Sequence, residues 1–183
     1  MQGSGLADNI KKKIAKVSTP FLFFIFSNLA IQELSDFKND TKHNPGFALK
    51  PVIRDENDPK WGMDWNVTIF ATDDLFIGSK FFLKIHLEPD FPNSAPKCTF
   101  TTPVPFHPNV AQASGYICYE LLKSDWTKNK NMSIPALVTS LKAFLANPNF
   151  SNPFREEPAS LHKEDPKKYV ARVKKLTKEQ NST

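Results

Sequence analysis

Apolar and polar residues alternate most cleanly where Phe81, Leu83, Ile85 and Leu87 are interleaved with Lys80, Lys84, His86 and Glu88. A period of two puts successive side chains on opposite faces of a strand, so this segment is expected to be a strand with one covered face. Trp65, Val67, Ile69 and Ala71, alternating with Asn66, Thr68 and Phe70, predict a second. Phe47 to Arg54, interrupted by Pro51, and Lys97 to Thr101 are weaker candidates. Asp73, Asp74 and Gly78 supply turn chemistry between the two strong strands. Four successive strands joined by short turns predict an antiparallel meander.

The remaining apolar residues follow helical spacing. Leu6, Ile10 and Ile14 recur every four residues, and Leu29, Ile31 and Leu34 carry apolar character on to Phe37. Ser133 can cap a helix carrying Ile134, Leu137, Val138, Leu141, Phe144 and Leu145, which Asn147-Pro148 stops. A short helix is expected around Glu156 to His162. Asp165-Pro166 opens another, with Tyr169, Val170, Val173 and Leu176 on one side. The order of elements predicts an α+β domain: N-terminal helix, four-stranded meander, long loop, then helices. The core domain is expected over residues 28–179, with an N-terminal extension over 1–27 and a frayed tail over 180–183.

Between the two halves of the first helical pattern lies Val17 to Ser27, which fits neither. Pro20 would break or kink the helix, and Phe21 to Phe26 is apolar on every side. The run is too short to span a membrane, which takes roughly 20 apolar residues. A secretory signal is disfavoured because Gln32, Glu33 and Asp36 follow with no convincing cleavage site. The plain reading is a buried segment packing on the domain; the alternative is an insertion, since deleting 17–27 removes close to three helical turns and restores a cleaner amphipathic helix.

Composition narrows the function. The 183 residues are 40% apolar with 16 Phe, enough for one domain with a core and unlike a disordered chain. Twenty-four basic residues against 19 acidic give +5, without the basic, aromatic-interleaved stripe of a nucleic-acid binder. Cys98 and Cys118 cannot build a disulfide scaffold or a four-ligand zinc site, and no metal or cofactor site is expected. Nothing here calls for a membrane; an intracellular monomer, cytoplasmic or nuclear, is expected.

Six of the 15 prolines fall between Pro89 and Pro108, where they rule out a regular ladder beyond the brief strand at Lys97. Phe91, Phe100, Val104 and Phe106 lie among them and argue for a packed, rigid loop system, suited to holding a site. Next comes His107-Pro108-Asn109, then Gly115-Tyr-Ile-Cys118, then Trp126 eight residues beyond the cysteine. With Phe91-Pro92-x3-Pro96-Lys97 before and Pro148-Asn149-x3-Pro153 after, four motifs stand in register over most of the chain. In these residues the sequence resembles the ubiquitin-conjugating (E2) enzymes.

The resemblance implies an enzyme that accepts ubiquitin or a related modifier from an activating enzyme (E1). It would hold the modifier as a thioester on Cys118 and pass it to a lysine amine with a ligase (E3). Alone, Cys118 would read as a buried inert thiol; its place in the motif reverses that. Cys98 matches no motif and is assigned to the core. Asn109 is implied as the donor to the oxyanion formed during lysine attack, and it equally suits a turn after proline. His107 is implied to prop the loop rather than act as a base. Pro108 and Gly115 complete the structural frame. Glu120 stands where many relatives carry Asp and is the first candidate to assist the incoming amine. At the second acidic place stands Asn152, which can hydrogen-bond but cannot take a proton.

Other departures concern partners. Asn109 and Cys118 are nine positions apart, one more than the commonest spacing, and two extra residues follow Trp126 in Thr127-Lys128-Asn129-Lys130-Asn131. Asn93, Trp126, Lys128 and Asn129 are the candidate ligase-facing residues, with a solvated loop as the plain alternative. Lys11, Lys12 and Lys13 could meet an acidic face of E1 or be a solvated helix face. Leu121-Leu-Lys-Ser-Asp-Trp126 and Gly78-Ser-Lys-Phe81 look somewhat like the branch that conjugates NEDD8. A binding module of E2 shape without useful activity is the remaining alternative.

Overall fold

The computed structural model of the protein describes residues 46–52, 64–72, 75–88, 90–129 and 132–181. The expected N-terminal helix, Lys11, Lys12, Lys13 and the segment 17–27 lie outside them. So do Arg54, Asp73, Asp74, Lys130 and Asn131.

Strands β1 (Phe47–Pro51), β2 (Asp64–Phe70), β3 (Lys80–His86) and β4 (Lys97–Phe100) form one antiparallel sheet in sequence order. The register sets Phe47 against Ile69, Val67 against Leu83 and Ile85 against Cys98. All the alternating apolar residues therefore reach one face: Trp65, Val67, Ile69, Phe81, Leu83, Ile85 and Phe100 are almost wholly buried. Each such side chain contributes about 1.5–3 kcal/mol on burial. β1 ends at Pro51. Pro51 is tolerated because β1 is an edge strand, where a missing N–H costs no ladder bond. Gly78 takes φ 86° in the β2–β3 connection, a conformation other residues rarely adopt.

Helix α1 (Ile134–Ala146) starts as expected: the Ser133 hydroxyl accepts from the Ala136 N–H at 3.2 Å. Its six apolar residues are buried in the same cluster as the sheet's inner face. Helix α2 (Glu156–Glu164) runs two residues past His162, and α3 (Pro166–Asn181) begins where the Asp165 carboxylate accepts from Lys167 and Lys168 N–H. α3 is helical through Gln180 to Asn181, the start of the tail expected to fray. Tyr169, Val173 and Thr177, four residues apart, are its buried line. Tyr169 stacks on Phe106, and Thr177 shares a buried 2.8 Å hydrogen bond with Ser79. These contacts fasten the last helix to the loop preceding the site, through Phe106, and to the β2–β3 connection, through Ser79. Among the described residues, no helix is long and apolar enough to cross a membrane.

Candidate active site

After β4 the chain leaves the sheet but stays packed. Phe106, His107, Pro108, Asn109 and Val110 are buried in succession, and the segment folds back so that Val110 bridges Ile117 and Thr99 bridges Tyr116. Gly115 makes this return possible. It holds φ 68°, its carbonyl accepts from the Phe100 N–H at 2.9 Å, and a Cβ there would lie 1.8 Å from the Phe100 carbonyl oxygen. Only glycine fits so close a backbone approach. Cys118 N–H then donates to the Asn109 carbonyl at 2.9 Å, fixing the cysteine backbone to the last residue of the His-Pro-Asn segment.

His107 is fully buried between aromatic rings, 4.7 Å from Phe144 and 6.4 Å from Phe76 by centroid. Its Nδ1 accepts from the Asn109 N–H at 3.1 Å, which assigns the neutral ring's proton to Nε2. Burial pushes the ring down to about 4, offset in part by the Phe144 backbone. Nε2 forms no hydrogen bond of good geometry. A neutral, enclosed imidazole bonded to the Asn109 N–H is suited to propping its own loop. Pro108 is a second fastening: its carbonyl accepts from both Phe154 and Arg155 N–H, at 2.8 and 2.7 Å.

The Asn109 side chain is 3% exposed and fully occupied. Its Nδ2 donates to the carbonyls of Asn149 and Asn152 at 3.0 and 3.1 Å, and its Oδ1 accepts from the Asn149 N–H at 2.8 Å. Asn149 orders its own turn, its Oδ1 accepting from Ser151 and Asn152 N–H. Asn109 is thus a clamp that ties the cysteine's loop to the segment after α1. In this arrangement neither amide hydrogen is free for an oxyanion.

Cys118 is half-buried, at a cleft of about 390 Å³ lined with it by Asn109, Glu120, Phe144, Asn149 and Asn152. The four residues expected to do the chemistry are therefore together. Glu120 is the one carboxylate among the described residues lining the cleft, and Asn152 shares the lining as an exposed amide. Cys98, by contrast, is 6% exposed, and burial pushes its thiol up to about 12. It is a core residue, as expected.

The sequence did not single out Lys123. It sits between two short 3-10 turns, Glu120–Leu122 and Ser124–Lys128, and its ammonium donates to Cys118 Sγ at 3.2 Å. That contact holds the Lys123 amine above its usual range, aided by Glu120 Oε1 at 3.9 Å. Ser124 Oγ donates to the other Glu120 oxygen at 3.0 Å. Five residues beyond the cysteine and three beyond Glu120, Lys123 is placed by the tight turn, a geometry that helical or strand periodicity does not reveal.

Trp126 corrects an expectation. It is 2% exposed, its indole N–H donates to the Pro92 carbonyl at 2.8 Å, and its ring lies against Phe91. It cannot present its side chain to a partner; it pins the Phe91-Pro92 loop to the turn after the cysteine. Asn93 and Lys128 are exposed, the latter paired with Asp125 at 3.1 Å, while Asn129 is half-buried and bonded to the Asp125 carbonyl. Among the described residues no His, Cys, Asp or Glu cluster is arranged to hold a metal.

The ubiquitin-conjugating enzyme family profile matches residues 31–177. "Ubiquitin-conjugating enzyme E2 2" of Mycosarcoma maydis is 36% identical over 142 residues, covering 77% of this chain and 72% of its own. The protein of the same name from Aspergillus fumigatus is 32% identical over 143 residues, covering 77% and 88%. Among solved structures, the E2 domain of a Toxoplasma gondii ubiquitin conjugating enzyme superposes with a TM-score of 0.67 at 27% identity, covering 82% of this chain and 95% of its own. With the profile spanning most of its length, the chain belongs to the ubiquitin-conjugating enzyme (E2) family of transferases.

Proposed function

We propose that this enzyme carries ubiquitin as a thioester on Cys118 and passes it to a lysine amine with a ligase. The observation that carries the reading is the half-buried Cys118 thiol at the cleft, its backbone bonded to Asn109 beside the only lining carboxylate among the described residues. Transfer from E1 exchanges one thioester for another, so it needs a nucleophilic sulfur and little driving force. The Lys123 ammonium stands at the sulfur, 3.2 Å from Sγ.

In the second step Glu120 receives and orients the incoming amine. Asn152 offers it an amide but no proton acceptor, so acid–base assistance rests on Glu120 alone. Asn109 is first a positioning residue. Its donation to the tetrahedral oxyanion would require one of its two Nδ2 bonds to be exchanged. The exposed Asn93 and Lys128, with the half-buried Asn129, are the proposed ligase-facing side. Lys11, Lys12 and Lys13 are the proposed contact with E1.

Ubiquitin is named because the relatives bear it in their names; the NEDD8 alternative is an arm of the test. The protein is incubated with E1, Mg-ATP and labelled ubiquitin, or NEDD8 with its own E1, and resolved on a non-reducing gel. A thiol-sensitive adduct with ubiquitin that Cys118→Ala removes is the expected result. Charging by NEDD8 alone would change the modifier, and no adduct with either would leave a binding module of E2 shape.

A further inference from the structure

Two aromatic rings beside the sulfur face solvent. Phe154 is 53% exposed and Tyr116 43%, and they touch each other, with centroids 5.5 Å apart. Exposed apolar residues scattered singly need no explanation, but a contacting pair next to a reactive group does. Both backbones are fixed. The Phe154 N–H donates to the Pro108 carbonyl at 2.8 Å, the Tyr116 carbonyl accepts from the Ala111 N–H at 2.9 Å, and Tyr116 bridges Thr99 of β4. Tyr116 to Cys118 run antiparallel to Asn109 to Ala111 with Ile117 buried between them, so Tyr116 and Cys118 face the same way, about 7 Å apart along the chain. The Tyr116 phenol also acts on the Lys123 ammonium, whose main partner is Sγ itself. Neither ring lines the cleft, whereas Asn152, two residues before Phe154, does. The pair therefore forms a shelf at the rim of the cleft, on the side of the sulfur.

We propose that the Tyr116–Phe154 pair selects the acceptor: it receives an apolar side chain lying within two residues of the lysine that takes the modifier. This rests on the thioester reading of Cys118. The acceptor amine must reach the carbonyl carbon held on Sγ, so the peptide carrying it passes over this face. An extended peptide advances about 3.3 Å per residue, and a side chain two positions from the lysine lies about 7 Å away, matching the step from Cys118 to Tyr116. The cleft itself is lined by Asn109, Glu120, Asn147, Asn149 and Asn152. These polar groups suit an amine and its backbone but offer no preference among apolar neighbours, which the shelf supplies. Rigid rings on a fixed backbone give contact area at little cost in conformational freedom, and covering them removes apolar surface from water. The gain falls on holding the acceptor, not on making the bond. Asn93 and Lys128, on the proposed ligase-facing side, belong to other loops.

The full chain is charged with ubiquitin by E1 and Mg-ATP, EDTA stops activation, and discharge is followed without ligase. The acceptors are acetylated, amidated peptides with a single lysine in a glycine–serine background. Each carries one leucine, one or two positions before or after the lysine, or none. At low concentration the best leucine peptide should discharge the thioester about tenfold faster than the peptide without leucine. The difference should lie in the half-saturating concentration, with the limiting rate unchanged. Combining Tyr116→Ser with Phe154→Ser should cut that ratio to about twofold, and each single variant should fall between. Tyr116→Phe, which keeps the ring, should preserve it. Rates are taken relative to free lysine in each variant, so a general loss of transfer cancels. A parent ratio near one overturns the inference while the thioester leaves the proposed function standing. A ratio that survives in the single and double variants also overturns it and assigns the rings to the modifier or the ligase. If ubiquitin gives no thioester, NEDD8 with its own E1 replaces it. No thioester with either removes the proposed function and this inference together.

Discussion

The two flanks of Cys118 are built on opposite principles. On the upstream side, His107 to Val110 and Ile117 are buried, and the polar groups of Asn109 are matched to backbone atoms of residues 40 and more positions away. On the downstream side, Glu120, Lys123 and Ser124 are exposed, charged or hydroxylic, and bonded to one another within four residues. The first flank fixes where the sulfur is. The second decides what protons and charges surround it. Substitutions upstream should therefore appear chiefly as lost stability, and substitutions downstream as altered rates in an equally stable protein.

The largest break is expected at Gly115. Gly115→Ala forces a Cβ onto the Phe100 carbonyl oxygen and a non-glycine residue into φ 68°. The loop must leave β4, at a cost of about 4 kcal/mol. Thermal unfolding should show a fall in Tm of about 8–16 °C. An unchanged Tm would mean the loop is not fixed by this contact, and the contrast between the flanks would lose its firmest support.

The next effect needs no mutation. The buried His107 ring stays neutral to about 4, against 6.5 in the unfolded chain. Below 6.5 the unfolded state binds a proton that the native state refuses, so stability is complete above that pH and falls as pH falls toward 4. The total loss is roughly 3 kcal/mol, since each pH unit is worth about 1.4 kcal/mol. Urea unfolding between pH 7 and 5, above the range of most carboxylates, isolates this slope. His107→Gln should flatten it.

Asn109→Ala comes third. It orphans the Asn149 N–H and two carbonyls that are partly solvated, a loss of about 2 kcal/mol. Charging at a temperature well below Tm should persist. Asn109→Asp keeps the acceptor for the Asn149 N–H but faces two carbonyls with a carboxylate, so it should be no more stable than Asn109→Ala. If it recovers most of the parent Tm, the two Nδ2 bonds contribute little and Asn109 is freer for the oxyanion than the clamp implies.

The same contrast explains what was legible in the sequence. The sheet was, because one-sided burial writes a period of two into Trp65, Val67, Ile69, Phe81, Leu83 and Ile85, and those residues were found on one face. The caps at Ser133 and Asp165 were legible because each acts on backbone within three residues. The presence of Cys118, Asn109, Glu120 and Asn152 in one cleft followed from motif order. What Asn109 does there did not, because its partners are backbone atoms from a distant turn, and backbone atoms leave no mark on residue type. Trp126 was placed at a partner surface when its indole in fact closes on the Pro92 carbonyl, since a tryptophan in a loop gives no sign of which way it faces. Lys123 was passed over because its significance lies in a 3-10 turn that reverses the chain toward the sulfur.

The smallest effect is the one that tests the downstream flank most directly. Glu120→Gln preserves shape and the Ser124 contact but cannot accept a proton. Its side chain is 63% exposed, so water shares its task, and transfer to free lysine should slow by about tenfold, below the hundredfold of a fully committed base. Charging by E1 should be unchanged, because thioester exchange requires no amine to lose a proton. Tm should also hold, because no buried contact is lost. Ser124→Ala, which removes only the hydroxyl steadying Glu120, should slow transfer by about twofold in single-turnover discharge. The two variants together discriminate between roles. A larger loss in Ser124→Ala than in Glu120→Gln would mean that the hydroxyl, not the carboxylate, meets the amine. A fall in Tm in either would mean that the downstream flank also holds the sulfur in place, and the division of labour across Cys118 would have to be redrawn.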